Sequence, residues 1–143
     1  MARIKLVFPD RVLFTTYIPV RIQDVNYGGH VGNDAILSIL HEVRVQFLFY
    51  LGTKGELDVF GTGIIMADAA IMYQGEGFHE DVFTVEVGVA DISSVGFDMY
   101  YRVTTARKEQ TIAIATAKTG ILCFDYTQRK VAKMPAALLE KIQ

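Results

Sequence analysis

One stretch of the chain restricts the possible folds more than any other. Across residues 31–51 the apolar side chains Ile36, Leu37, Ile39, Leu40, Val43, Phe47 and Leu51 recur at helical spacing, and Leu48, Phe49 and Tyr50 add apolar surface beside that stripe. A segment of this kind is a long helix that has to be covered on more than one side. Gly32 or Asn33 suits its N-cap, Asp34 complements the positive end of its dipole, and Gly52 suits its stop. The remainder reads as strands. Residues 12–22, 83–90 and 95–103 alternate at period two, 64–73 is a mostly apolar run, and 111–124 completes the set. A short helix is expected over 134–142, starting near Pro135. The order β–α–β–β–β–β predicts an α+β fold, with one long central helix wrapped by a five-stranded antiparallel sheet. Ala113, Ala115 and Ala117 are expected to line one face of the last strand and let the helix approach closely.

The whole chain, 143 residues, is expected to form a single domain, 1–143. Apolar residues make up 51% and charged residues 21%, a balance that excludes a disordered chain. The net charge of −2 supplies no field to attract nucleic acid or an anionic membrane surface. The long apolar segment contains Asp34, His41, Glu42 and Arg44, which excludes it as a bilayer span. The first ten residues lack the apolar core of a signal peptide, and the single cysteine, Cys123, fits a reducing compartment, so the expected location is cytoplasmic. Unpaired edge strands and a high apolar content point to self-association, as a homodimer or homotetramer.

The chemistry concentrates where the first strand meets the long helix. The segment Asp24-Val25-Asn26-Tyr27-Gly28-Gly29-His30-Val31-Gly32-Asn33-Asp34 combines acids, a base, turn formers and glycines at a helix N-terminus. Glycines let a ligand approach the backbone, and free N–H groups at a helix start polarise a carbonyl or hold an oxyanion. Glu42 follows on the helix, and Asp68 is an acid in an apolar run, where it needs a partner. Each also has a structural alternative: Asp24 as a turn residue, Asp34 as a dipole partner, Glu42 in an ion pair with Arg44. The three histidines, His30, His41 and His79, lack metal-ligand spacing, so no metal is expected. No P-loop, dinucleotide fingerprint or nucleophile elbow is present.

The same segment resembles the hotdog-fold acyl-CoA thioesterases of the 4-hydroxybenzoyl-CoA thioesterase type. Their pattern is Asp-x-Asp-x-x-Gly-His-Val-Asn-Asn, followed within the central helix by Glu-x-x-Arg. The matching stretches here are Asp24-Val-Asn26-Tyr-Gly-Gly29-His30-Val31-Gly32-Asn33 and Glu42-Val-Arg44. The resemblance extends to the turn Gly61-Thr-Gly63 and to 116–125 with its Lys-Met-Pro135 tail. It implies a thioester hydrolase that releases a free acid and coenzyme A from a small-molecule acyl thioester, at a site shared between subunits. Coenzyme A enters as part of the substrate, and no separate cofactor is implied. Where the family's usual catalytic carboxylate stands, this chain has Asn26, a neutral amide. The resemblance therefore directs the search for a base to Asp34, Glu42 and Asp68, with Asn26 and His30 orienting the substrate and Asp24 a further catalytic candidate. Tyr27, Gly28, Gly29, Val31 and Asn33 would contact the substrate, and N–H groups near Gly29 and Val31 would polarise its carbonyl. Arg102, Arg107, Lys108, Lys118, Arg129 and Lys130 are the cations available to the phosphates of coenzyme A. Two other readings fit Asn26: a non-catalytic acyl-thioester-binding protein, and an enoyl-thioester hydratase, whose Asp-x-Asn-Pro-x-His pattern is similar to Asp24-x-Asn26 and His30.

Overall fold

In the computed structural model, which describes residues 1–143, the long helix α1 spans Asn33–Tyr50. Strand β1 (Phe14–Pro19) and a 3-10 turn (Ile22–Asp24) precede it. Strands β2 (Gly63–Tyr73), β3 (Val82–Ala90), β4 (Gly96–Arg107), β5 (Gln110–Asp125) and the two-residue β6 (Lys130–Val131) follow, then helix α2 (Ala136–Ile142). The helix starts two residues later than its apolar pattern predicts, because Gly32 is the extended N-cap. The first strand is shorter than 12–22, because Ile22–Asp24 coils into the 3-10 turn. The strand β6, paired to the end of β5, was not expected.

The sheet is antiparallel, in the order β1-β3-β4-β5-β2. Its inner face wraps α1. Leu40, Val43 and Phe47 of the helix are fully buried against Val85, Val87, Tyr101 and Ala117 of the strands. The Phe14 ring meets Phe47 at 5.8 Å and Tyr50 at 5.0 Å, closing the β1 side of the helix.

Two bulges change which residues face the helix. Val103 pairs with Ala115 while Thr104 pairs with Ala113, so Ile114 is an extra residue in β5. That offset reverses the alternation. Ala115 and Ala117 face the core, but Ala113 is exposed, and the expected row of three alanines is broken. In β2, Met66 pairs with Ile121 and Asp68 with Gly120, so Ala67 is extra. Opposed residues share a face. The bulge therefore turns Asp68 to the outer face, away from α1.

One long side of α1 is left open beside β2. The strand is a sheet edge of 11 residues, and Met66, Ala67, Asp68 and Ala69 on it are exposed. Leu37 on the helix is exposed beside it.

Truncating Phe47 to alanine is expected to cost about 3–5 kcal/mol in urea unfolding, as for other fully buried aromatics. The same change at exposed Phe49 is expected to fall within about 1 kcal/mol of the native chain. Equal effects would contradict the assignment of faces.

Candidate functional site

The loop that delivers the chain to α1 is held almost entirely by its own hydrogen bonds. Asp24 is buried, and its carboxylate accepts from the Arg21 backbone N–H at 2.9 Å and from the Arg21 guanidinium. The Asp24 carbonyl accepts from Gly32 N–H, and Val25 bridges to Val31. Asn26 Oδ1 accepts from Gly28 N–H at 2.9 Å, an Asx turn. Gly29 follows with φ +85°, a conformation that favours glycine. His30 directs Nδ1 at the Val31 carbonyl, 3.2 Å away, and Tyr27 stands fully exposed at the loop tip.

These bonds correct one expectation. Gly29 N–H already donates to the Asn26 carbonyl and Val31 N–H to the Gly77 carbonyl, so neither is free to polarise a substrate. The N–H groups of Asn33 and Ala35, in the first turn of α1, have no acceptor within the chain. Asp34 folds back over the N-cap: a Cβ built on Gly32 would lie 2.6 Å from Asp34 Oδ1. Tyr73 at the end of β2 donates its hydroxyl to the Asn33 carbonyl at 3.1 Å. Burial and the nearby Asp34 charge push the Tyr73 hydroxyl above its ordinary pKa. A small cleft of about 180 Å³ opens here, between His30, Asn33, Ile36, Tyr73 and Ile114.

A second group of polar side chains lies farther along the same open side of α1. Arg44 is 2% exposed, at the centre of the core. Its Nε donates to Glu56 Oε2 at 3.0 Å and its Nη1 to the Tyr101 hydroxyl at 3.3 Å. The Tyr101 hydroxyl is 2.8 Å from Thr119 Oγ1. Glu56 comes from the loop after α1, and its other oxygen is 2.6 Å from His41 Nε2. Burial pushes the Glu56 carboxyl up, but its bonds to Arg44 and His41 outweigh this and hold it below the ordinary glutamate range. The Tyr101 hydroxyl is raised by burial. His41 and Glu56 border a groove of about 580 Å³ that runs between α1 and β2, with Leu37, Ser38, Ile65 and Met66 along it.

A family model described as the thioesterase-like superfamily matches residues 20–142. The chain belongs to that superfamily. No curated protein sequence matches it. Among solved structures, it superposes on an Asp-to-Asn mutant of 4-hydroxybenzoyl-CoA thioesterase complexed with 4-hydroxybenzoyl-CoA. That match has a TM-score of 0.82 at 14% identity, covering 91% of this chain and 98% of the other. A 1,4-dihydroxy-2-naphthoyl-CoA thioesterase from Synechocystis gives 0.70 at 21% identity, covering 90% and 94%. A gentisyl-coenzyme A thioesterase gives 0.75 at 13% identity, covering 91% and 100%. These likenesses identify the fold as the hotdog.

Within this superfamily fold, the candidate residues do not form one cluster. Asp34, Asn33, Val31 and His30 gather at the helix start, and Asn26, Gly28 and Gly29 form the loop beside it. Asp24 is committed to Arg21. Glu42 points away from the groove: its carboxylate accepts from Gln46 and makes no pair with Arg44, since residues two apart lie on different helix faces. Asp68 is well exposed, and it accepts from Lys118 and from Gly120 N–H. The Lys118 bond, opposed by slight desolvation, holds the Asp68 carboxyl below its ordinary range. Three of the expected phosphate-binding cations have carboxylate partners: Arg102 with Glu86, Arg107 with Asp81, and Lys118 with Asp68 and Asp98. No group of three or more His, Cys, Asp or Glu side chains is arranged to hold a metal ion. No helix is long and apolar enough to cross a membrane. Glu56 went unseen in the sequence, because it sits in a polar, glycine-bearing loop. Its signal was indirect: a helix-centre arginine on a buried face requires an acid from elsewhere.

Replacing Glu56 by glutamine leaves Arg44 buried without a charged partner. The expected cost at pH 7 is about 1–3 kcal/mol in urea unfolding. Because the native Glu56 carboxyl titrates below the unfolded one, its stabilisation is complete above the ordinary glutamate range. It is lost as pH falls through the depressed native value. The gap between native chain and variant therefore narrows in acid, and a gap that is absent at pH 7 would contradict the coupling.

Proposed function

We propose that this chain is an acyl-CoA thioesterase, hydrolysing the thioester of a small-molecule substrate to a free acid and coenzyme A. The observation that carries the reading is the pair of unengaged N–H groups, Asn33 and Ala35, within a chain of the thioesterase-like superfamily. They point outward from the positive end of an 18-residue helix. A thioester carbonyl placed there gains hydrogen bonds that strengthen as negative charge develops on its oxygen during attack. The Asn26 amide NH₂ and His30 flank that position and serve to orient the substrate. Three solved structures of this fold are titled as CoA thioesterases, which favours coenzyme A as the thiol.

The active form in this reading is a homodimer with the site shared between copies. The unpaired edge of β2 presents a full strand of main-chain donors and acceptors with exposed apolar side chains beside it, features that favour pairing with a second β2. Asn26 sustains one other reading, an acyl-thioester-binding protein without turnover. The Asp-to-Asn mutant of 4-hydroxybenzoyl-CoA thioesterase is complexed with 4-hydroxybenzoyl-CoA. The hydratase reading has less support, because no hydrogen bond joins Asp24 to His30 and the Asp24 carboxylate is held by Arg21.

Free-thiol release from short, medium, long and aromatic acyl-CoAs tests the proposal. Turnover of one class, by a species that light scattering sizes as two copies or more, is the expected result. Stoichiometric acyl-CoA binding without thiol release would instead establish the binding reading. A monomer at working concentration would contradict the shared site.

A further inference from the structure

Hydrolysis needs a base, and none of the expected carboxylates is well placed to act as one. Glu42 faces solvent beside Gln46, and Asp68, although it borders the groove, has its carboxylate engaged by Lys118 and by Gly120 N–H. Asp34 folds back over Gly32 at its own helix N-terminus, where a carboxylate serves as a dipole partner. We propose that the base is His41, oriented by Glu56, and that it acts on a thioester held at the helix N-terminus of a second copy of the chain. This rests on the thioesterase reading above.

The chemistry of the dyad supports this role. The depressed Glu56 carboxyl is ionised at neutral pH, so it accepts from His41 and makes Nε2 the protonated nitrogen of the neutral ring. Nδ1 is then the lone-pair nitrogen, with no partner in the chain, on an imidazole that is 58% exposed beside the groove. Glu56 cannot swing away, because buried Arg44 grips its other oxygen and is itself fixed by Tyr101. This is the arrangement of an activated base: an imidazole held by a carboxylate that is held in turn. The charged and titratable groups around it are Glu56 from the loop, Arg44 on its own helix, Asp68 on β2, and the hydroxyls of Tyr101 and Tyr126.

The topology explains why a second copy is needed. His41 lies eight residues beyond Asn33, about 12 Å along the helix axis, too far to serve a carbonyl at its own N-terminus. But α1 runs antiparallel to β2: Asn33 is bonded to Tyr73 at one end, and His41 shares the groove with Ile64 and Met66 at the other. Pairing two β2 edges antiparallel about Asp68 sets Tyr73 of one copy opposite Gly63 of the other. The helix N-terminus of one copy then comes alongside the His41 turn of its mate. There Nδ1 takes a proton from water, and the water oxygen bonds to the thioester carbon to give an oxyanion at the Asn33 and Ala35 N–H groups. Collapse breaks the C–S bond, and the departing thiolate takes the proton back from the imidazolium, leaving acid and thiol.

The test is the pH profile of kcat/KM for the native chain, His41→Gln, Glu56→Gln and Asp34→Asn, each checked for dimer size and thermal midpoint. His41→Gln, at an exposed side chain, is expected to remain a folded dimer and to lose about 10²–10⁴-fold in rate. The shape of its pH profile is also expected to differ from that of the native chain. Glu56→Gln, a positioning change, is expected to lower kcat with KM retained. Native-like rate and profile in His41→Gln, or a loss of that size confined to Asp34→Asn, would overturn the proposal while leaving a thioesterase. Absence of thiol release by the native chain would overturn the thioesterase reading and this base together.

Discussion

A single guanidinium, that of Arg44, ties the central helix to three other parts of the fold. A charge with 2% exposure is tolerated only when its donors are met, and here they are met by Glu56 and Tyr101. Glu56 thereby fastens the loop between α1 and β2 to the middle of the helix, and Tyr101 carries the connection through β4 to Thr119 of β5. The side effect reaches the surface. The Glu56 oxygen not taken by Arg44 is left to fix the His41 ring at the edge of the groove. A need of the core thus sets the geometry of an exposed imidazole.

The sheet explains the rest of the site. The strands cover one face of α1, the face of its seven buried residues, and leave its side along β2, an edge strand, open. The open side holds both groups of the proposed site, free N–H groups at one end and the imidazole at the other. Within one chain they border different cavities, the small cleft at the helix start and the groove farther along, and are separated by two turns of helix. In the proposed dimer, a two-fold axis through the middle of β2 would bring opposite ends together, so that self-association and catalysis would draw on the same edge.

The helix, the succession of elements along the chain and the antiparallel sheet were legible because apolar periodicity records which face each residue buries. The loop before α1 was legible as a tight lead-in to the helix because glycines and turn formers collect there, as the Asx turn at Asn26 and the positive φ of Gly29 bear out. Other features were not. A bulge adds one residue to a strand without changing its apolar character, so the outward turns of Ala113 and Asp68 left no mark in the pattern. The engagement of Gly29 and Val31 N–H depends on the path of the loop past Asn26 and Gly77, which spacing does not specify. The pairing of His41 with Glu56 crosses fifteen residues of sequence and arises from the need of Arg44, a third residue.

The central claim is that one catalytic unit draws its N–H donors from one copy and its base from another. Complementation between two defective variants tests it most directly. Proline at Asn33 removes the N–H at the first helical position with little harm to the helix, since the Gly32 backbone before it is already extended. Glutamine at His41 removes the base. Each variant alone is predicted to be strongly impaired toward the acyl-CoA that the native chain cleaves, and subunit exchange between them to restore thiol release well above either, because a mixed dimer carries one intact site. A mixture that forms mixed dimers yet stays as impaired as the variants alone would contradict the account.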